Sequence, residues 1–186
     1  MMRNKKAAME MSVGTIVTIV LLMGVLVLGG VLIQRIFFSA TENINNIDQA
    51  VKNEISKLFS QDATKKIVIY PASRQVSIEK GAQGEGFAFS IRNVENTQGI
   101  FSYNIKASET DCQTSLSVAE ADTYIGLGRT GEVTIPAGSI MDEPKLVTFN
   151  IPETAPPCSI SYSIDLQKDG QTYGSSVDVL LSIKAK

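Results

Sequence analysis

The sequence predicts an α+β fold: a long N-terminal helix, transmembrane and then amphipathic, followed by an antiparallel immunoglobulin-like β-sandwich. Three observations carry that expectation. Residues 11–34 hold no charged side chain. Beyond Arg35 an apolar residue recurs every seven positions, and from Lys65 onward the apolar pattern switches to period two. A length of 186 residues suits one domain with an accessory segment.

Composition narrows the function before any motif is sought. The chain contains no histidine, which excludes Ser-His-Asp and Cys-His triads, an imidazole base and histidine ligation of zinc or haem. With 17 basic against 19 acidic residues and no dense Lys/Arg cluster, it is a poor binder of nucleic acid. No enzyme activity, cofactor or metal is expected. The charge is segregated: Arg3, Lys5, Lys6 and Arg35 stand against Glu10 in the first 38 residues, while the remainder is net acidic. The positive-inside rule therefore predicts a cytoplasmic N-terminus and an exported C-terminal part.

Met11 to Gln34 is a 24-residue uncharged run. As a helix it would be about 36 Å long, against about 30 Å of hydrocarbon in a bilayer. A secretory signal has a shorter apolar region and a small-x-small cleavage site, and here Phe38 spoils the nearest such site at Ala40. The segment predicts a single-pass membrane span that stays on the protein.

The helical period continues after Arg35. Phe37, Ile44, Val51 and Leu58 line one face with Ala40 and Ile47, and Ile55 lies beside them. No Pro or Gly interrupts residues 31–63, so one nearly continuous helix is expected from Met11 to Ser60, with a possible kink at Gly29-Gly30. Its second half is read as packing on the exported domain; a short coiled-coil stalk is the alternative. The resulting organisation is a cytoplasmic leader at 1–10, a transmembrane helix at 11–34, an amphipathic extension at 35–62 and an extracellular sandwich at 63–186.

Eight strands are expected, at 66–70, 75–78, 86–91, 101–107, 132–135, 146–151, 159–166 and 176–183. Asp169-Gly170 is the strongest hairpin signal, and Pro71, Pro136, Pro152 and Pro156-Pro157 fall at strand ends. Cys112 and Cys158 both lie in the exported part and read as a disulfide closing a loop of about 47 residues, worth roughly 4 kcal/mol. Two separate thiols are the alternative. The glycine-rich stretch Gly81–Gly86 lacks the Lys-Ser/Thr of a phosphate loop, and Asp142-Glu143 and Glu120-Ala121-Asp122 lack calcium-loop spacing.

Ahead of the apolar run stands Lys5-Lys6-Ala7-Ala8-Met9-Glu10-Met11-Ser12-Val13-Gly14-Thr15-Ile16-Val17. This order resembles the class III signal peptide of archaeal type IV filament subunits, the archaellins and adhesion pilins. The resemblance covers about the first 35 residues. It implies cutting by a prepilin peptidase behind Lys6 or Ala7, with Lys5, Lys6, Ala7 and Ala8 as the processing residues. It also implies a homo-oligomeric filament whose core is the Met11–Phe38 helix and whose outer face is the sandwich. Glu10 would then set filament register by pairing with the new amino terminus of a neighbour; otherwise it sits at headgroup level. The partners implied are the membrane, other copies of the chain and the peptidase. The location implied is the cell membrane, single-pass, with the sandwich outside and assembled into a surface filament. The alternative is a non-polymerising anchored surface protein with an immunoglobulin-like binding domain.

Overall fold

The computed structural model describes residues 14–29, 49–112 and 115–185. The chain divides into two compact units, Met1–Asn46 and Ile47–Lys186.

In the first unit, residues 14–29 form helix α1, built from Ile, Val, Leu and Met with exposed side chains. At 1.5 Å per residue its described length is about 24 Å, less than the thickness of a hydrocarbon core. No helix among the described residues is long and apolar enough to cross a membrane. This corrects the expected transmembrane helix at 11–34 and the single continuous rod to Ser60. Hydropathy counts uncharged positions, whereas crossing is a property of one sufficiently long helix. Residues 11–13 and 30–34 of the expected span lie outside the described residues, as does all of the apolar stripe before Gln49.

In the second unit, helix α2 (Gln49–Gln61) precedes ten strands. They are β1 (Ile67–Tyr70), β2 (Gln75–Glu79), β3 (Gln83–Ile91), β4 (Gly99–Thr110), β5 (Ile125–Leu127), β6 (Thr130–Ile135), β7 (Lys145–Asn150), β8 (Ser159–Lys168), β9 (Gln171–Thr172) and β10 (Val177–Lys184). A short helix α3 (Val118–Ala121) and a 3-10 turn (Asp122–Tyr124) lie between β4 and β5. One open sheet runs β1-β3-β7-β5; the other runs β2-β10-β8-β4-β6, with β9 paired to β8.

Period-two alternation turns one row of each strand inward. Phe87, Phe89, Ile91, Val147 and Phe149 from the smaller sheet meet Phe101, Tyr103, Ile105, Tyr162 and Ile164 from the larger in one core. Phe89 meets Tyr103 edge-on at 4.9 Å between ring centres, and Phe149 meets Tyr162 at 4.8 Å. Such pairs add to the burial itself.

The expected antiparallel immunoglobulin-like sandwich is corrected. β2 runs parallel to β10, with Val76 opposite Leu181 and Ile78 opposite Ile183. The chain leaves the smaller sheet after β1, turns at Pro71–Arg74, where the Arg74 N–H donates to the Pro71 carbonyl, and enters the edge of the larger sheet. Alternation reports which face a side chain takes and is silent on strand direction. The Asp169-Gly170 turn is present, with both residues at positive φ, but it leads into the two-residue β9 before β10 begins.

Helix α2 lies on the outer face of the smaller sheet. Ile55 and Phe59 are buried there with Val68 and Ala88, and Val51, Leu58 and Ile140 pack at the margin. Arg92 holds the end of the helix: its guanidinium sits 4.6 Å from the Phe59 ring and donates to the Phe59 and Asp62 carbonyls. A cation there satisfies carbonyls that have no partner within the helix and complements its dipole. Phe59→Ala is expected to cost about 3 kcal/mol of this docking. Hydrogen exchange would read that as a roughly hundredfold loss of amide protection in α2; unchanged protection contradicts the packing described.

Candidate functional site

Three polar clusters in the second unit could carry chemistry. The first surrounds the disulfide. Cys112, after β4, and Cys158, before β8, are bonded to each other, with Cα atoms 5.1 Å apart. A carboxylate oxygen of Asp111 lies within 4.8 Å of both sulfurs. The trio is nevertheless no metal centre, because disulfide sulfurs carry no thiolate to offer. Asp111 Oδ1 instead accepts the Ser159 N–H, and the Asp111 N–H donates to the Ser159 carbonyl. Beside this corner a depression of about 200 Å³ is lined by Glu109, Thr110, Asp111, Ser159, Ser161 and Leu180. It opens where β4 slips register between Ala107 and Glu109.

The second cluster is centred on Lys168 and Asn93. Lys168 continues the inward row of β8 after Leu166, so its stem runs over the core beside Phe101 and only 7% of its side chain is exposed. Its ammonium donates to Glu95 Oε2 at 2.6 Å and to the Thr97 carbonyl and hydroxyl, both at 3.1 Å. Asn93 is fully buried; its amide donates to the Thr97, Ile135 and Pro136 carbonyls, and its oxygen accepts the Glu95 N–H. The Tyr173 hydroxyl donates to the Arg92 carbonyl and accepts the Val94 N–H. Every donor on the lysine has an acceptor. Together these groups tie the 93–98 loop to both sheets.

The third cluster holds α3 against β4 and β8. The Tyr162 hydroxyl donates to the Ala121 carbonyl, Asp122 Oδ1 accepts the Ala107 N–H, and Arg129 pairs with Asp122 Oδ2. Burial raises the Tyr162 phenol far above its ordinary range, with the Asp122 charge adding to it. Burial likewise raises Tyr103, Tyr124 and Tyr173.

The outer face of the larger sheet is mostly polar, with Ile100 of β4 and Leu180 of β10 as apolar exceptions. Ser77, Ser182 and Ser159 stand in one cross-strand row, and Asp165, Asn104 and Thr130 in another. Lys106 and Asp165 pair across it at 2.9 Å.

Of the residues singled out from sequence, the structure brings Cys112 and Cys158 together. Lys5, Lys6, Ala7, Ala8 and Glu10 lie outside the described residues. Asp122 enters the sequence reading only within an acidic pair without calcium-loop spacing, and Lys168, Asn93 and Arg92 do not enter it, although Lys168 occupies the next inward position of an alternating run. Helix α3 carried a legible start: Ser117 and Glu120 have capping-box spacing, and the Ser117 hydroxyl accepts the Glu120 N–H.

No family model and no curated protein matches the chain. Among solved structures, a Caenorhabditis elegans MSP family member, WR4, is 13% identical with a TM-score of 0.38, over 64% of this chain and 99% of that one. A family 123 glycoside hydrolase from Clostridium perfringens is 10% identical at 0.41, over 61% of this chain and 23% of that one. The CooA pilin subunit from enterotoxigenic Escherichia coli is 14% identical at 0.37, over 65% and 97%. Similarity at that level assigns neither family nor function.

The filament-subunit expectation is therefore corrected, along with its archaellin-like and pilin-like description. The described residues contain no membrane-spanning helix to form a filament core or an anchor, and the pilin likeness is too slight to supply an identity. The expected membrane, self-assembly and prepilin peptidase partners go with it, as do the single-pass cell-membrane location and the anchored-surface-protein alternative.

Two predictions follow from these clusters. Replacing both cysteines by alanine is expected to lower stability by about 4 kcal/mol in the chain-entropy model. Urea melts with and without reductant measure it, and a reductant-insensitive midpoint contradicts the clamp. The raised tyrosines favour the neutral phenol in the folded state. Their contribution is complete below the unfolded tyrosine pKa of about 10 and is lost as pH rises beyond it. Urea midpoints should therefore fall above about pH 10, together with the appearance of tyrosinate absorbance.

Proposed function

We propose that the chain is a non-catalytic module, a disulfide-clamped β domain that works in an oxidising compartment by presenting a surface rather than by turning over a substrate. The observation that carries this is the employment of the polar groups in the three clusters; among the described residues Ser90 Oγ is buried without a hydrogen-bond partner, and it stands outside them. Lys168 has all three donors engaged, the Asn93 amide meets three carbonyls, and the Tyr162 and Tyr173 hydroxyls each hold a backbone group. A catalytic site needs a nucleophile or base with a free valence aimed into a cleft. These groups close loops instead.

The disulfide supports the compartment, since such bonds persist where thiols are not kept reduced. The hydroxyl-rich face of the larger sheet, which no described element covers, supports display, because it is solvated without offering an apolar binding cleft.

Activity-directed probes test the proposal. Fluorophosphonate and iodoacetamide reagents, applied to the folded chain between about pH 5 and 9, are expected to leave every serine and cysteine unmodified. Stoichiometric labelling of a single residue, abolished by unfolding, overturns it.

A further inference from the structure

We propose that the free edge of β1 is a docking site for an extended acidic peptide, which adds to the smaller sheet as a further strand. This deepens the proposal of a surface-presenting module and rests on it.

The backbone comes first. β1 stands at the end of the smaller sheet, bonded only to β3 among the described residues. The Arg92 N–H donates to the Lys66 carbonyl, which makes that opposed pair a hydrogen-bonded one. Antiparallel pairs alternate between bonded and non-bonded, so Val68 and Tyr70 also face β3, while Ile67 and Ile69 turn their N–H and C=O groups toward the open edge. Ile91, opposite Ile67, fits the same alternation: its carbonyl accepts from Met141 on the other side of β3. An unpaired edge is a template for another strand, and proteins that leave one open commonly use it for peptide recognition.

The side chains around that edge then select the occupant. A cavity of about 50 Å³ is lined by Ile67, Val68, Ile69, Leu58 from α2, Ala72, Lys65 and Arg74. Aliphatic side chains and polar backbone groups share its walls, and Lys65 and Arg74 are the charged residues that line it. Neither Lys65 nor Arg74 forms an ion pair among the described residues; Asp62 on the preceding turn accepts two hydrogen bonds from Thr64, and the Lys65 charge acts on it only beyond ion-pair distance. An incoming strand would place one small apolar side chain in the cavity and carboxylates beside Lys65 and Arg74. A basic strand would meet like charge at both.

The test uses the full chain, isotopically labelled, and a blocked peptide of alternating valine and threonine flanked by glutamates. A twin carries lysines in place of the glutamates. The glutamate peptide is expected to bind below about 1 mM and to slow exchange of the Ile67 and Ile69 amides at least about tenfold. The lysine twin should do neither. Lys65→Glu and Arg74→Glu should each weaken the glutamate peptide, and the double variant should prefer the twin; retained amide dispersion shows that the variants fold.

Protection elsewhere, equal binding of both peptides, or binding indifferent to the charge reversals overturns the proposal. So does protection of the same amides that rises with protein concentration alone, which would make a second copy the occupant. Failure here leaves the non-catalytic proposal standing, since reactive-probe labelling tests that separately.

Discussion

One inward row of side chains from each sheet, turned against the other, is the constraint on which this domain depends. Phe89 on Tyr103 and Phe149 on Tyr162 bridge the two layers, and the aliphatic residues around them are almost entirely removed from water. Each open sheet has an apolar inner face that is stable only when covered, and packing the two together buries both at once. The polar features follow from that alignment. Tyr162 reaches the Ala121 carbonyl only because its ring is fixed in the inter-sheet layer, and Lys168 meets Glu95 and Thr97 because β8 carries its inward row to the rim of the core.

At the rim the balance changes from burial to hydrogen bonding. The loop after β3 cannot bury its carbonyls without partners, since each orphaned group would cost on the order of 1 to 3 kcal/mol. Asn93, Lys168 and Tyr173 supply those partners from three separate stretches of chain. The disulfide acts at a different corner, where it joins the segment after β4 to the start of β8 beside the paired Asp111–Ser159 hydrogen bonds. Two kinds of closure, one by donors and one by a covalent bond, thus hold the loops that the sheets leave over.

The eight expected strands coincide with β1, β2, β3, β4, β6, β7, β8 and β10, because a half-buried strand writes its period directly into the residues. β5 and β9 escaped notice: Ile125–Leu127 and Gln171–Thr172 are too short to show a period and owe their conformation to β7 and β8. The stripe through Val51, Ile55 and Leu58 marked one face of α2, while Phe59, the most deeply buried residue of that helix, stood apart from the heptad spacing. The polar clusters were hardly legible. Asn93, Glu95, Thr97 and Lys168 are common surface residue types, and only the folded chain makes neighbours of positions more than seventy residues apart.

The sequence by itself determined which residues face inward along most strands, the absence of histidine chemistry and the availability of one cysteine pair. Those properties are local or compositional, so they survive without coordinates. Tertiary structure decided the parallel entry of β2, the docking of α2, the employment of Lys168 and Asn93 and the position of β1 at the end of its sheet. Each of these depends on which strand lies beside which, and strand order is set by long-range burial that no local pattern records.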